Sequence, residues 1–73
     1  MVEVFSKNNC IQCKMTKKFL KQHNVDFVEH NIDEQPQFAN QLKAEGFLAA
    51  PVVKTPNGDA FSGFRPDKLK QLA

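Results

Sequence analysis

Long apolar runs and a strong charge of either sign are missing from this sequence, cysteine is scarce, and each shortage removes a class of function. No apolar stretch approaches the roughly 18 residues that a membrane-spanning helix needs, so neither a transmembrane segment nor a membrane partner is expected. The chain opens Met1-Val2-Glu3-Val4-Phe5, with no basic segment and no cleavable apolar one, which leads us to expect a cytoplasmic protein rather than a secreted one. A formal net charge of +2 is too small to mark a nucleic-acid-binding surface. Linkers, repeats and low-complexity tracts are also absent. What remains is ordinary globular material, with 41% hydrophobic and 25% charged residues, unlike a disordered chain. At 73 residues it is one domain at most, and such a chain buries only about 60% of its unfolded surface.

Only two cysteines are present, Cys10 and Cys13. A small secreted domain would need several disulfides to supplement a thin core. A bridge closing so short a loop constrains the unfolded chain very little, so this pair is a poor structural staple. A lone Cys-x-x-Cys in a chain with cytosolic character points to redox chemistry or metal.

The pattern along the chain alternates strands and helices. Met1–Phe5 reads as a first strand, rich in β-branched and aromatic residues. Ser6-Lys7-Asn8-Asn9 is a polar loop able to supply a helix cap. From Ile11 to about His23 the spacing is helical, with Ile11, Met15, Thr16, Phe19 and Leu20 assigned to the apolar side and Lys14, Lys17, Lys18 and Lys21 to the other. Asn24 is a left-handed stop. Phe27–Ile32 reads as a second strand. Asp33-Glu34-Gln35-Pro36 opens a second helix with apolar Phe38, Ala39 and Leu42, and Gly46 closes it. Val52–Thr55 is a third strand, Pro56-Asn57-Gly58 a turn, and Asp59–Ser62 a fourth strand in a hairpin. Pro66-Asp67 starts a last helix carrying Leu69 and Leu72. A βαβ crossover makes the first two strands parallel, whereas the hairpin is antiparallel. The expected fold is α/β, a four-stranded mixed sheet flanked by three helices in the order β-α-β-α-β-β-α.

That order places Cys10 where the first strand exits and the first helix begins. The first turn of a helix offers backbone N–H groups without intrahelical partners, and the helix dipole is positive there. A thiolate at Cys10 gains from both, and such settings bring cysteine pKa values from about 8.5 down to about 3.5–7.5. Cys13 shares the first turn. Cys10, nearer solvent, is assigned as the nucleophile that attacks a substrate disulfide, and Cys13 as the resolving thiol. Ile11 and Gln12 between them would tune access and potential.

A zinc centre is the rival reading, because His23 and His30 follow the cysteine pair. The middle spacing is short and the histidine spacing exceeds the usual three to five residues. A helix-end histidine and a half-buried one fit the two positions better, so no metal is assigned. The lysine stripe reads first as a solvated face and alternatively as a surface that steers an acidic partner.

With Cys10-Ile11-Gln12-Cys13 stand two further segments: Gly46-Phe47 leading to Pro51-Val52-Val53, and Phe61-Ser62-Gly63-Phe64-Arg65-Pro66-Asp67. Together they resemble the glutaredoxin branch of the thioredoxin superfamily, and within it the NrdH redoxins, over essentially the whole chain. The resemblance implies a thioredoxin/glutaredoxin-like fold and a single redox domain spanning residues 1–73. It implies a cis Ala50–Pro51 bond facing the cysteines, with the Ala50 backbone pairing with a bound substrate. It implies a monomeric dithiol–disulfide oxidoreductase with no bound cofactor beyond the redox-active Cys10–Cys13 disulfide. Electrons would come from NADPH through thioredoxin reductase and go to a ribonucleotide reductase. Ile11, Gln12, Ala50, Pro51, Phe61, Ser62, Gly63 and Phe64 are the expected partner-binding positions. For Phe61 and Phe64 core packing is an equal alternative, and Phe61 stands where this family often has tryptophan. Arg65, the only arginine, is expected to tie the last helix to the strand ends. Glutathione-using relatives carry Thr-Val before the proline and Gly-Gly later; here Ala49-Ala50 and Ser62-Gly63-Phe64 stand there. A glutathione-dependent glutaredoxin is therefore the first alternative, and a zinc or iron–sulfur module the second.

Overall fold

A computed structural model describes residues 1–73. Its elements are β1 (Val2–Ser6), α1 (Ile11–Gln22), β2 (Phe27–Asn31), α2 (Pro36–Ala44), β3 (Val52–Lys54), β4 (Ala60–Ser62) and α3 (Pro66–Leu69), the last continued by a 3₁₀ turn over Lys70–Leu72. The expected order holds. The strands form one sheet in the order β2-β1-β3-β4. β1 and β2 are parallel, with Val4 opposite Glu29, and β1–β3 and β3–β4 are antiparallel. No helix is long and apolar enough to cross a membrane.

Alternation along β1 divides the core into two layers. Val2 and Val4 join Leu20 of α1, Val53, Phe61 and Leu69 of α3 on one face of the sheet. Phe5 joins Val52 and Leu42 of α2 on the other, with Ile32, Phe38 and Phe47 around them. Because helices cover both faces, the central strand is buried at Val4, Phe5 and Ser6 in succession, the pattern of a strand enclosed on both sides. Helix α1 is thereby seated through Thr16 and Leu20, each with no exposed surface, and truncating such a leucine to alanine costs about 2–5 kcal/mol.

Several boundaries and faces differ from expectation for local reasons. Ile11 and Met15 are 75% and 43% exposed, because at 100° per residue both lie about 160° around the helix from Cys13. The stripe that meets the sheet is Cys13, Thr16 and Leu20. The acidic pair before α2 is not in its first turn. Asn31 Oδ1 instead accepts the N–H groups of Asp33 and Glu34 at 2.9 and 3.2 Å, so the helix begins only at Pro36. Thr55 leaves β3 to close the hairpin turn, donating its N–H to the Asp59 carbonyl at 2.9 Å. Asn24 (φ 57°) and Gly46 (φ 93°) are the left-handed stops that were expected.

One carboxylate ties three elements together. Glu29 Oε2 on β2 accepts from the Ser6 hydroxyl at 2.6 Å and from Lys17 Nζ at 2.7 Å. Buried Ser6 gains its hydrogen-bond partner, and the Lys17 ammonium is paired with a carboxylate. The Lys17 and Ser6 hydrogen bonds hold the Glu29 carboxyl below its ordinary value of 4.5. A lowered carboxylate stabilises the fold above its unfolded pKa, and that contribution fades as pH falls through the folded value. Glu29→Gln should lower the unfolding free energy at neutral pH, by less than about 1 kcal/mol for so exposed a pair, and with it the denaturant midpoint. The gap from wild type should close in acid below pH 4.5; parallel denaturation curves at several pH values check this.

Candidate active site

The turn between β1 and α1 is held from outside. Asn8 donates its N–H to Asp33 Oδ2 at 2.9 Å, and Asn31 Nδ2 donates to Asn8 Oδ1 at 3.0 Å. Ile32 N–H donates to the Ser6 carbonyl at 2.8 Å. Asn9, at φ 54°, then turns the chain through the left-handed region that asparagine tolerates. This support was not read from the sequence, since its members lie 23 to 26 residues apart.

No residue of the Ser6–Asn9 loop caps α1. Cys10 does so itself: its backbone is extended (φ −115°, ψ 108°), and its Sγ accepts the N–H of Cys13 at 3.1 Å. Its carbonyl accepts the Lys14 N–H at 3.2 Å. The cap position is therefore filled by sulfur where serine, threonine or aspartate oxygen is usual. Cys10 and Cys13 form a disulfide with Cα atoms 5.2 Å apart. Cys10 keeps 8% of its surface in contact with solvent against 1% for Cys13, so Cys10 is the more accessible of the two.

Three segments converge beside the pair. Gln12 Oε1, in the first turn, accepts the Phe64 N–H at 3.2 Å. Gly63, at φ 83°, donates its own N–H to the Pro51 carbonyl at 2.8 Å. The Ala50–Pro51 peptide is cis. The structure thus brings Cys10, Gln12, Cys13, Pro51, Gly63 and Phe64 into one connected assembly. Ala50 and Ser62 are half-buried at the edges of β3 and β4, and exposed Ile11 lies at the start of α1. Phe61 is buried in the core, and half-buried Phe64 packs against the same cluster, so the packing alternative describes Phe61.

The two histidines go elsewhere. His23 stacks on Phe19 at 4.2 Å at the far end of α1, a helix about 18 Å long at 1.5 Å per residue. His30 lies against Phe5 and Phe38 on the α2 face and contacts Glu3 Oε2 at 3.1 Å. No group of three or more His, Cys, Asp or Glu side chains gathers in the manner of a metal site. Arg65 does not reach the strand ends. It donates to both carboxylate oxygens of Asp67 at 3.2 and 3.0 Å, an exposed clamp on the first turn of α3.

Comparison with known proteins decides the family. The glutaredoxin profile matches residues 2–59. The glutaredoxin-like protein NrdH of Lactococcus lactis subsp. cremoris is 58% identical over 73 residues, covering all of both chains. The chain belongs to the glutaredoxin family, among its NrdH-like members. The Escherichia coli (strain K12) glutaredoxin-like protein NrdH is 39% identical over 72 residues, 97% of this chain and 86% of the relative. The solved NrdH-redoxin from Escherichia coli superposes with a TM-score of 0.94 at 36% identity, covering 99% of this chain and 93% of that one. That structure is presented as the basis of a thioredoxin-like activity profile. The redoxin described here is accordingly a thiol–disulfide oxidoreductase with a thioredoxin-like fold, and Cys10–Cys13 is its disulfide.

In the reduced redoxin, the Cys13 N–H and the positive end of α1 favour a charged Cys10 sulfur. Ultraviolet titration of thiolate formation should place the first ionisation clearly below the roughly 8.5 of free cysteine. In Cys10→Ser, the remaining Cys13 should ionise at higher pH than that first step.

Proposed function

We propose that this redoxin carries electrons from NADPH-dependent thioredoxin reductase to a ribonucleotide reductase in the cytoplasm. It works as a monomer, residues 1–73 acting as one redox domain, with no cofactor besides its disulfide. The observation that carries the reading is the Cys10 sulfur serving as cap of α1 with Cys13 one turn behind it. The thioredoxin-like activity profile of the Escherichia coli relative supports the choice of reductase.

The cycle starts from the reduced pair. Cys10 thiolate attacks one sulfur of a substrate disulfide, forming a mixed disulfide and releasing the other sulfur as a thiolate, which takes up a proton. Cys13, having lost its proton, attacks the Cys10 sulfur. The second substrate thiol departs, and the Cys10–Cys13 disulfide closes. Two electrons have passed to substrate, and the reductase returns two electrons and two protons. Its potential lies in the thioredoxin–glutaredoxin range, about −200 to −270 mV. In this reading the Ala50 backbone before Pro51 pairs with the substrate chain, and Ile11, Gln12 and the Ser62–Phe64 segment, with Phe61 beneath it, border the docked partner.

Glutathione is the less favoured donor. Ala49-Ala50 stand before Pro51 where glutathione-using relatives carry Thr-Val, so the threonine hydroxyl is missing. Gly63 is followed by Phe64 and not by a second glycine.

Coupled assays test the proposal. NADPH with thioredoxin reductase should sustain reduction of a protein disulfide, and glutathione with its reductase should not. Cys10→Ser should abolish turnover. Cys13→Ser should accumulate a covalent mixed disulfide visible by mass spectrometry; normal turnover by that variant would overturn the resolving role.

A further inference from the structure

We propose that Gln12 is a positioning residue that fastens the Gly63–Phe64 loop to the start of α1 and thereby sets the geometry in which a protein disulfide docks. The proposal rests on the oxidoreductase reading above and adds a residue to it. Gln12 is an exposed position between the two cysteines, where any polar residue would be tolerated on solubility grounds. Its side-chain oxygen nevertheless holds the Phe64 N–H across 52 residues of sequence. Phe64 lies beyond the end of β4, so no strand neighbour takes that donor.

The peptide unit just before it binds elsewhere. Gly63 N–H goes to the carbonyl of Pro51 at 2.8 Å, and its left-handed φ of 83° directs successive N–H groups to different partners. A Cβ at Gly63 would stand 3.6 Å from Gln12 Oε1, so the side-chain amide lies directly against this turn. One two-residue loop therefore joins the cysteine turn to the cis-proline segment, and Gln12 supplies the only side chain in that linkage. A small disulfide needs only the Cys10 sulfur. A protein disulfide must meet Cys10, the Ala50 edge and the loop at once, so it senses their relative placement.

Amide hydrogen exchange and single-turnover kinetics test this together. Gln12→Met keeps length and bulk but removes the acceptor. Phe64 N–H exchange in the oxidised protein should accelerate roughly tenfold, as loss of one hydrogen bond implies. The second-order constant for reduction of insulin by the pre-reduced variant should fall severalfold further than that for hydroxyethyl disulfide, so that the ratio of the two constants drops. Gln12→Glu retains the acceptor and should restore both Phe64 protection and the ratio of the two constants, since its added charge acts on Cys10 equally for either substrate. Unchanged Phe64 exchange in Gln12→Met, equal falls for both substrates, or no restoration by Gln12→Glu would overturn the proposal. Failure of the wild-type protein to reduce insulin at all would instead sink the oxidoreductase reading, and Phe64 exchange would still decide whether Gln12 holds the loop.

Discussion

The hydrogen bond from the Cys13 amide to the Cys10 sulfur is the contact on which the rest of this structure depends. It requires an extended residue immediately before a helix, a left-handed Asn9 to bring the chain round, and a helix that cannot tilt. Each requirement is met by a different part of the chain. Asn8, Asn31 and Asp33 hold the approach loop, and Thr16 and Leu20 seat the helix against β1. The Thr16 hydroxyl donates to the Gln12 carbonyl at 2.8 Å, so even the buried polar group on this face reinforces the first turn.

Covering both faces of β1 serves the same end. A helix resting on a half-solvated sheet would have its strand order and twist set by one layer alone. Here the α2 layer, through Phe5, Val52 and Leu42, backs the strands that carry the site, and α1 and α3 close the opposite side. The Glu29 bridge from β2 to Ser6 and Lys17 adds a polar tether between sheet and α1. In so short a chain, where the surface buried on folding is limited, distributing support over two small layers keeps the chemical end rigid without a large core.

Much of this was legible from local pattern. The chain order of strands and helices, the placement of Cys10 at a strand exit, the stops at Asn24 and Gly46, and the hairpin at Asn57-Gly58 are all governed by neighbours within a few residues. The misassignments share a cause. Helical spacing showed that α1 is amphipathic, but Ile11 and Met15 are as apolar as Leu20, and composition alone does not tell which apolar arc meets the sheet. Cysteine as its own helix cap was hidden because Ser6, Asn8 and Asn9 are better capping residues by type. The links from Gln12 to Phe64, from Ser6 to Glu29 and from Asn8 to Asp33 have no periodic signature whatever. Arg65 was assigned a long reach, yet Asp67 two residues on offered a bidentate partner at far smaller entropic cost. What short-range rules leave out is how distant segments are stitched together, and around this site that stitching is done by side-chain amides and carboxylates.

The narrow opening at Cys10 has a bearing on oxidative damage. Cys10 has only 8% of its residue surface uncovered, so access to it is restricted. Peroxide-type oxidants climb from sulfenic to sulfinic acid most readily on open thiolates. With a partner sulfur one turn away, a sulfenic acid at Cys10 condenses with the Cys13 thiol, releasing water and closing the same disulfide that the catalytic cycle forms. The same burial that limits access to Cys10, with Cys13 beside it, thus shields the carrier from irreversible loss.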